Sequence, residues 1–117
     1  MGLLSNLFSG ITWYKVFDSE NDAVKNIPLN KAVTVLAGKH KICMARTPQG
    51  YFAVSDTCPH NGASLSKGMC NTLGEIVCPW HNYTFDLKLG HCSTDNAYGV
   101  EVYKVDIRND GLYIGVR

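Results

Sequence analysis

The stretch DTCPHNGASLSKG, residues 56–68, sets a cysteine and a histidine two positions apart among proline, glycine and small polar residues. A second stretch, VCPWHNYTFD at residues 77–86, has a cysteine and a histidine three positions apart, and a proline again follows the cysteine. This density of proline and glycine predicts loops, and thiolate and imidazole groups are metal ligands. The two loops therefore predict a metal centre. Its candidate ligands are Cys58, His60, Cys78 and His81.

The chain of 117 residues has the length of a single domain, and its 45% hydrophobic and 18% charged residues are typical of a globular protein. We therefore expect one domain over residues 1–117. The formal net charge is +1, and the lysines and arginines are scattered along the sequence. This distribution argues against the dense basic surface that nucleic-acid binding requires.

The cysteines are five in number, whereas secreted disulfide frameworks usually have an even count. The opening segment MGLLSNLFSG, residues 1–10, has neither the basic start of a signal peptide nor an apolar run long enough to span a membrane. We expect this segment to form a loose N-terminal arm and the protein to be cytoplasmic. In a reducing compartment, clustered cysteine and histidine favour metal or redox chemistry over disulfides.

Short alternating apolar stretches separated by turn residues predict an antiparallel all-β fold, either a small sandwich or a barrel. Two hairpins are the clearest elements, one turning at Pro48–Gly50 and one at Asn109–Gly111, where the sequence suits positive φ. A single helical turn is expected near residues 21–26. The predicted strands and hairpins lie at residues 13–17, 31–37, 41–56, 75–78 and 100–116. The ligand loops thus have strands on both sides, which can aim side chains from the loops.

The spacing of the ligand pairs is compatible with two kinds of metal centre. One is a tetrahedral zinc site of two thiolates and two imidazoles. The other is a [2Fe-2S] cluster in which two histidines replace two cysteines on one iron. Zinc fingers commonly keep cysteine with cysteine and histidine with histidine, but here each loop contributes one of each. Two facing loops would bring the cysteines to one iron and the histidines to the other, so the cluster is favoured over zinc.

The segments CPHNGASLSKG and CPWHNYTFD resemble the two cluster loops of Rieske-type ferredoxins, the small carriers that serve bacterial ring-hydroxylating oxygenase systems. The resemblance implies the Rieske fold, an antiparallel β-sandwich base with a small cluster-binding lobe, here spanning roughly residues 56–93. It also implies that Cys58 and Cys78 hold a buried iron, while His60 and His81 hold an iron near the surface.

Several positions depart from the patterns of the family. The high-potential members have a cysteine in each loop, joined as a disulfide, where this chain has Ala63 and Trp80. They also have serine and tyrosine donors to sulfur where this chain has Tyr83 and Phe85. Fewer donors stabilise the reduced cluster less, so we expect a potential in the lower part of the Rieske range of roughly −150 to +300 mV. Asn82 replaces a usual glycine, and asparagine tolerates the left-handed turn expected there.

Five further cysteine and histidine residues lie outside the ligand pairs, and His40 among them is expected to be a solvated turn residue. Cys43 and Cys70 are expected in the core or in loops, because free cysteine is more often a small buried hydrophobe than a reactive group. His91 and Cys92 belong to the segment GHCSTDNAYG, residues 90–99, and are taken as bystanders of the site. That segment lacks the proline with which a third loop of the family covers the cluster.

The sequence shows no second domain that could hold a substrate. The predicted function is therefore that of a one-electron carrier, not an enzyme, between a ferredoxin reductase and a terminal oxygenase such as a ring-hydroxylating dioxygenase. Docking is expected near His60 and His81, with no nucleic acid and no membrane involved. The alternatives are a redox or iron sensor, a protein like the small subunit of nitrite reductase, and a zinc-binding interaction module.

Overall fold

The computed structural model describes residues 10–80, 82–93 and 98–117. Of the predicted N-terminal arm, all but Gly10 lies outside the described residues, and so does His81. Within the described part of the chain, no helix has the length and apolarity to span a membrane. The elements in chain order are β1 (Thr12–Phe17), α1 (Glu20–Asn26), β2 (Lys31–Ala37), β3 (His40–Thr47), β4 (Gly50–Ser55), the 3₁₀ turn η1 (Leu65–Lys67), β5 (Met69–Cys70), β6 (Glu75–Val77), β7 (Thr84–Asp86), β8 (Val102–Arg108) and β9 (Gly111–Val116).

The base of the molecule is a six-stranded antiparallel sheet in the order β1-β9-β8-β4-β3-β2. Its halves, β1-β9-β8 and β4-β3-β2, share two residue pairs, Ala53 with Tyr103 and Val54 with Val102. The sheet curls there, so that its edge strands β1 and β2 approach each other across the interior. The predicted all-β antiparallel class, with a two-layered base, is confirmed.

The apolar faces of both halves enclose the base core, and α1 closes one of its openings. Ser19 caps this helix, since its hydroxyl oxygen accepts a hydrogen bond from Asp22 N at 3.1 Å. The helix covers the predicted segment and buries Ala23, and the C-cap residue Ile27 that follows it is buried as well. The buried residues of the base core are Ala23, Ile27, Ala37, Ile42, Met44, Ala53, Leu112, Ile114 and Val116.

Strand β3 is buried on both faces. Because side chains alternate along a strand, Ile42 and Met44 point into the base core, while Cys43 and Ala45 point to the other side of the sheet. There they pack in a second core beneath the ligand loops, which we call the lobe core. Its buried residues are Cys43, Ala45, Val54, Cys58, Leu65, Cys70, Ile76, Cys78, Phe85, Leu87 and Cys92.

The lobe itself is built on the small antiparallel sheet β5-β6-β7. The backbone N–H of Cys70 in β5 donates to the carbonyl of Asn30 at 3.0 Å, which ties the lobe to the base. Gly68 lets the chain pass close to β6, because a Cβ at this position would lie 1.8 Å from the Val77 carbonyl oxygen. The lobe therefore rests on the base through β3 and through this backbone contact.

The β8–β9 hairpin forms where it is predicted, but its turn differs in detail. Arg108 pairs with Gly111, and Asn109 and Asp110 lie between them. Positive φ falls on Gly111, at 155°, and not on either of the other two turn residues. A side chain at Gly111 would also meet the Phe17 carbonyl oxygen, with its Cβ at 2.7 Å. Close approach to β1, as well as turn geometry, requires glycine here.

Candidate metal centre

The first ligand loop, residues 56–66, is anchored at its base by a buried carboxylate. Asp56 Oδ2 accepts a hydrogen bond from Ser64 Oγ at 2.6 Å, and Asp56 Oδ1 accepts one from Ser66 N at 2.9 Å. The Asp56 carbonyl accepts a third, from Leu65 N at 2.7 Å. The aspartate at the start of the loop thus binds the residues at its end, which fixes the span between them.

The tip of this loop is a tight turn around Cys58. Cys58 N donates to the Ala63 carbonyl and Gly62 N donates to the Cys58 carbonyl, both at 2.9 Å. Gly62 has a φ of 76°, in the region that favours glycine. The Asn61 carboxamide oxygen accepts from Ala63 N at 2.9 Å, an Asx turn that closes the tip.

The second ligand loop connects β6 to β7. Cys78 follows β6 directly, and its N–H donates to the Tyr83 carbonyl at 2.7 Å. Asn82 has a φ of 57°, so the prediction that asparagine takes a left-handed conformation here is confirmed. The sharp reversal places Cys78 at the inner end of the loop, facing the first loop.

The thiols of Cys58 and Cys78 lie deep in the lobe core, exposed by 1% and 0%. Burial raises the pKa of Cys58, and the neighbouring Cys78 thiol raises it as well, while the backbone N–H groups of His60 and Asn61 lower it. Two adjacent thiolates are unfavourable in such an apolar setting unless a cation compensates their charge. A buried thiol pair with two N–H groups near its sulfur therefore fits a bound metal better than an empty core.

His60 lies beside these thiols, with its Nδ1 atom 3.8 Å from Cys58 Sγ. The imidazole is enclosed by aromatic rings. Tyr83 stacks on it with a centroid distance of 3.9 Å and an interplanar angle of 5°, Phe85 is tilted at 5.9 Å, and Tyr98 presents an edge contact at 6.0 Å. These contacts fix the ring plane, in which Nδ1 faces the Cys58 sulfur.

The structure thus brings three of the four predicted ligands together, and His81 lies outside the described residues. Among the described residues, no three Cys, His, Asp or Glu side chains form a group around a single ion. A diiron cluster needs a different arrangement, two protein ligands at each iron. The cysteine pair and the adjacent imidazole fit that requirement.

The other cysteines behave as predicted. Cys43, Cys70 and Cys92 are buried in the lobe core, and all five cysteines of the chain are free, so no disulfide links the loops. Burial raises the pKa of Cys70 to about 11 and that of Cys43 well above its usual value. Such thiols are poor nucleophiles at neutral pH. His91 is exposed, and its carbonyl accepts a hydrogen bond from Asp86 N.

Two residues near the candidate ligands were not identified from the sequence. Asn61 reaches from the first loop to the second, where its Nδ2 lies 3.8 Å from Cys78 Sγ and 3.5 Å from the Trp80 carbonyl oxygen. An asparagine before a glycine signals the local turn but not this contact. Tyr98 contacts His60 from the third segment, although that segment lacks the expected proline. The aromatic character of Tyr98 does not by itself indicate a contact with His60.

Fold and site together define a small antiparallel β protein that carries a mixed cysteine and histidine centre on a separate lobe. The family model for the Rieske [2Fe-2S] domain matches residues 12–104. The chain belongs to this family, and its cofactor is a Rieske [2Fe-2S] cluster.

Relatives with curated descriptions include ferredoxin components of dioxygenase systems. The ferredoxin subunit of 3-phenylpropionate/cinnamic acid dioxygenase from Photorhabdus laumondii is 33% identical over 70 residues, covering 56% of this chain and 64% of the relative. The ferredoxin component of the p-cumate 2,3-dioxygenase system from Pseudomonas putida is 30% identical over 67 residues, covering 56% and 57%. Human apoptosis-inducing factor 3 is 26% identical over 100 residues, covering 85% of this chain but 15% of that protein. In each case the match spans less than two thirds of the relative.

Solved structures agree on the fold. The ferredoxin of carbazole 1,9a-dioxygenase from Nocardioides aromaticivorans has a TM-score of 0.75 at 20% identity, covering 88% of this chain and 96% of its own. A nitrite reductase small subunit from Mycobacterium tuberculosis has a TM-score of 0.78 at 21% identity, covering 92% and 96%. A complex of reduced oxygenase and oxidized ferredoxin in carbazole 1,9a-dioxygenase contains a chain with a TM-score of 0.72 at 25% identity, covering 87% and 91%.

Proposed function

We propose that this protein is a low-potential Rieske ferredoxin that carries single electrons from a reductase to a terminal oxygenase, such as a ring-hydroxylating dioxygenase. The observation that carries the proposal is the buried pair Cys58 and Cys78 beside the enclosed imidazole of His60. The ferredoxin relatives of dioxygenase systems support it. In this role the protein is not an enzyme by itself, and its place is the cytoplasm.

In the proposed ligand set, Cys58 and Cys78 hold one iron and His60 and His81 hold the other. The cluster, when bound, takes up and releases one electron. The chain's own residues do the rest. The hydrogen bonds of Asp56 hold the shape of the first loop, the turn at Asn82 shapes the second, and the lobe core keeps water from the cysteine side. The whole arrangement belongs to one domain, residues 1–117, with the cluster lobe at about residues 56–93.

The proposed docking face surrounds His60 and His81 at the tip of the lobe. Trp80 and Tyr98, which are 61% and 63% exposed, flank this region. Exposed aromatic residues are enriched in protein interfaces, where they bury a large area at little entropic cost. Because the formal net charge of the chain is +1, contact area rather than long-range attraction should govern docking.

The potential is proposed to be low because the second loop offers few donors to the sulfur atoms. Phe85, fully buried next to His60, has no hydrogen-bonding group. The Tyr83 ring is stacked on His60, a different arrangement from a short hydroxyl aimed at sulfur. With few such donors the oxidised cluster is favoured, and a midpoint well above zero would contradict this part of the proposal.

Analysis of protein purified without oxygen tests the function. We expect two irons and two labile sulfides per chain, and an electron paramagnetic resonance signal after dithionite reduction whose average g-value lies below that of all-cysteine clusters. Cys58→Ser and Cys78→Ser should lose the cluster, while Cys70→Ser, a matched change of another buried thiol, should keep it. A colourless protein that contains stoichiometric zinc would contradict the proposal and would indicate a zinc-binding module instead.

A functional assay separates the carrier from a sensor or a nitrite reductase subunit. The carrier should cycle repeatedly between its oxidised and reduced forms with an intact cluster. It should also support turnover of a Rieske dioxygenase supplied with a ferredoxin reductase and NADH. Loss of the cluster during each cycle would indicate a sensor instead. Failure with oxygenases, together with stimulation of a nitrite reductase large subunit, would favour that alternative.

A further inference from the structure

In addition to the stacking of His60 on Tyr83, Asn61 forms a side-chain contact between the two ligand loops. It follows His60 at the tip of the first loop and is half-buried. Its Nδ2 atom lies 3.8 Å from Cys78 Sγ and 3.5 Å from the Trp80 carbonyl oxygen, both in the second loop. Its Oδ1 atom stays in the first loop, where it accepts from Ala63 N at 2.9 Å.

The contact with Ala63 decides which way the carboxamide faces. A backbone N–H can only donate, so the atom next to it must be the carboxamide oxygen. The Nδ2 group therefore faces the second loop, where the Trp80 carbonyl oxygen accepts one of its hydrogens. The Cys78 sulfur also lies 3.9 Å from Oδ1. A sulfur that is bound to a metal can only accept a hydrogen bond, so Nδ2 is the group that Asn61 can offer to it.

We propose that Asn61 is a positioning residue that ties the two loops together and, in the loaded protein, donates a hydrogen bond to the Cys78 sulfur. This inference rests on the proposed ligand set. A donor to a ligand sulfur stabilises the reduced state more than the oxidised state, because reduction adds negative charge to the cluster. Asn61 thus supplies, from the first loop, a donor to sulfur of a kind that Phe85 in the second loop cannot provide, and it raises the potential accordingly.

Two variants distinguish the hydrogen bond that Asn61 Nδ2 donates to the second loop from the turn in which Asn61 Oδ1 accepts. Asn61→Ala removes both interactions without adding charge. Asn61→Asp keeps an oxygen for the Ala63 N–H but places the other carboxylate oxygen against the Cys78 sulfur and the Trp80 carbonyl. The matched control is Asn71→Ala. Asn71 makes the same kind of turn, with Oδ1 accepting from Leu73 N at 3.0 Å, but its Nδ2 contacts the Glu75 carboxylate.

The measurements are the midpoint potential and the rate at which an iron chelator removes the cluster. We expect Asn61→Ala to shift the ratio of reduced to oxidised protein at a given potential about tenfold toward the oxidised form, which corresponds to about 59 mV for one electron. Asn61→Asp should shift it further in the same direction. Both variants should release iron faster than the wild type, and Asn71→Ala should match the wild type in both measurements.

The outcomes distinguish this inference from the proposed function. If the wild type contains neither iron nor sulfide, the proposed function fails. If the wild type holds its cluster but both Asn61 variants keep the wild-type potential and release rate, the inference fails and the function stands. If both variants lose the cluster during purification while their circular dichroism stays that of the control, the tie between the loops is supported.

Discussion

Replacing Asp56 by alanine is the most direct test of how the first ligand loop is held. The carboxylate is 3% exposed and accepts hydrogen bonds from the Ser64 hydroxyl at 2.6 Å and from Ser66 N at 2.9 Å. A hydrogen bond to a charged group contributes about 1.5–3 kcal/mol, and a buried donor left without an acceptor costs a similar amount. Taking about 1.5 kcal/mol for each of the two hydrogen bonds, we expect the free energy of unfolding of Asp56→Ala to fall by about 3 kcal/mol.

Thermal unfolding of the loaded protein measures this loss. For a domain of this size, about 1 kcal/mol corresponds to about 4 °C, so the melting temperature should fall by about 12 °C. Loss of the visible absorbance of the cluster should precede or accompany the change in circular dichroism, because the first ligand loop is what the variant loosens. Variants must be compared at one scan rate, since cluster loss makes unfolding irreversible.

Asp106→Ala is the matched control. Asp106 accepts from Arg108 Nε at 2.8 Å, but the two side chains are 49% and 39% exposed, so the variant should melt within about 2 °C of the wild type. The melting temperature of Asp56→Asn should lie between those of Asp56→Ala and Asp106→Ala, because its carboxamide has one acceptor oxygen for the two donors. If Asp56→Ala melts as Asp106→Ala does and keeps its cluster, the reasoning that a buried carboxylate anchors the loop is refuted.

Three further predictions follow from single residues. Gly68→Ala places a Cβ 1.8 Å from the Val77 carbonyl oxygen, so we expect a lobe that cannot pack and a protein that retains little iron on purification; normal iron content would contradict the close approach. The pKa of Cys70 is raised to about 11 from 9.0, and an acidic group that is kept neutral by folding stabilises the protein below its unfolded pKa. Stability should therefore fall as the pH rises from about 9 to about 11, and urea unfolding of Cys70→Ser should show a shallower decline over that window. Trp80→Ala, at a side chain that is 61% exposed, should leave the potential and melting temperature unchanged but slow electron delivery to an oxygenase, measured by stopped-flow; an unchanged rate would remove Trp80 from the docking face.

Much of this molecule is predictable from the sequence because the relevant signals are local. Alternating stretches gave the strands and hairpins, and the preference of asparagine for left-handed backbone anticipated the turn at Asn82. The burial of Cys43 and Cys92 also follows from the ordinary behaviour of free cysteine. In each case a few neighbouring residues determine the conformation.

The remaining features depend on contacts between distant segments. Nothing near Asn61 in the sequence indicates that its carboxamide reaches Cys78, because that contact exists only when the two loops face each other. The edge contact of Tyr98 on His60 likewise needs a third segment folded against the first loop. The close approach of Gly111 to β1 also involves a strand that is nearly the whole chain away in sequence.

The double burial of β3 has a consequence for how the protein responds to stress. One face of this strand belongs to the base core and the other to the lobe core. Opening either core would therefore expose side chains of the strand that also forms part of the other core. Base and lobe should therefore behave as one cooperative unit, in which amide protons of β3 exchange with solvent only through global opening. A metal centre whose lobe packs on such a shared strand should keep its geometry while its charge changes, as the proposed electron transfer requires.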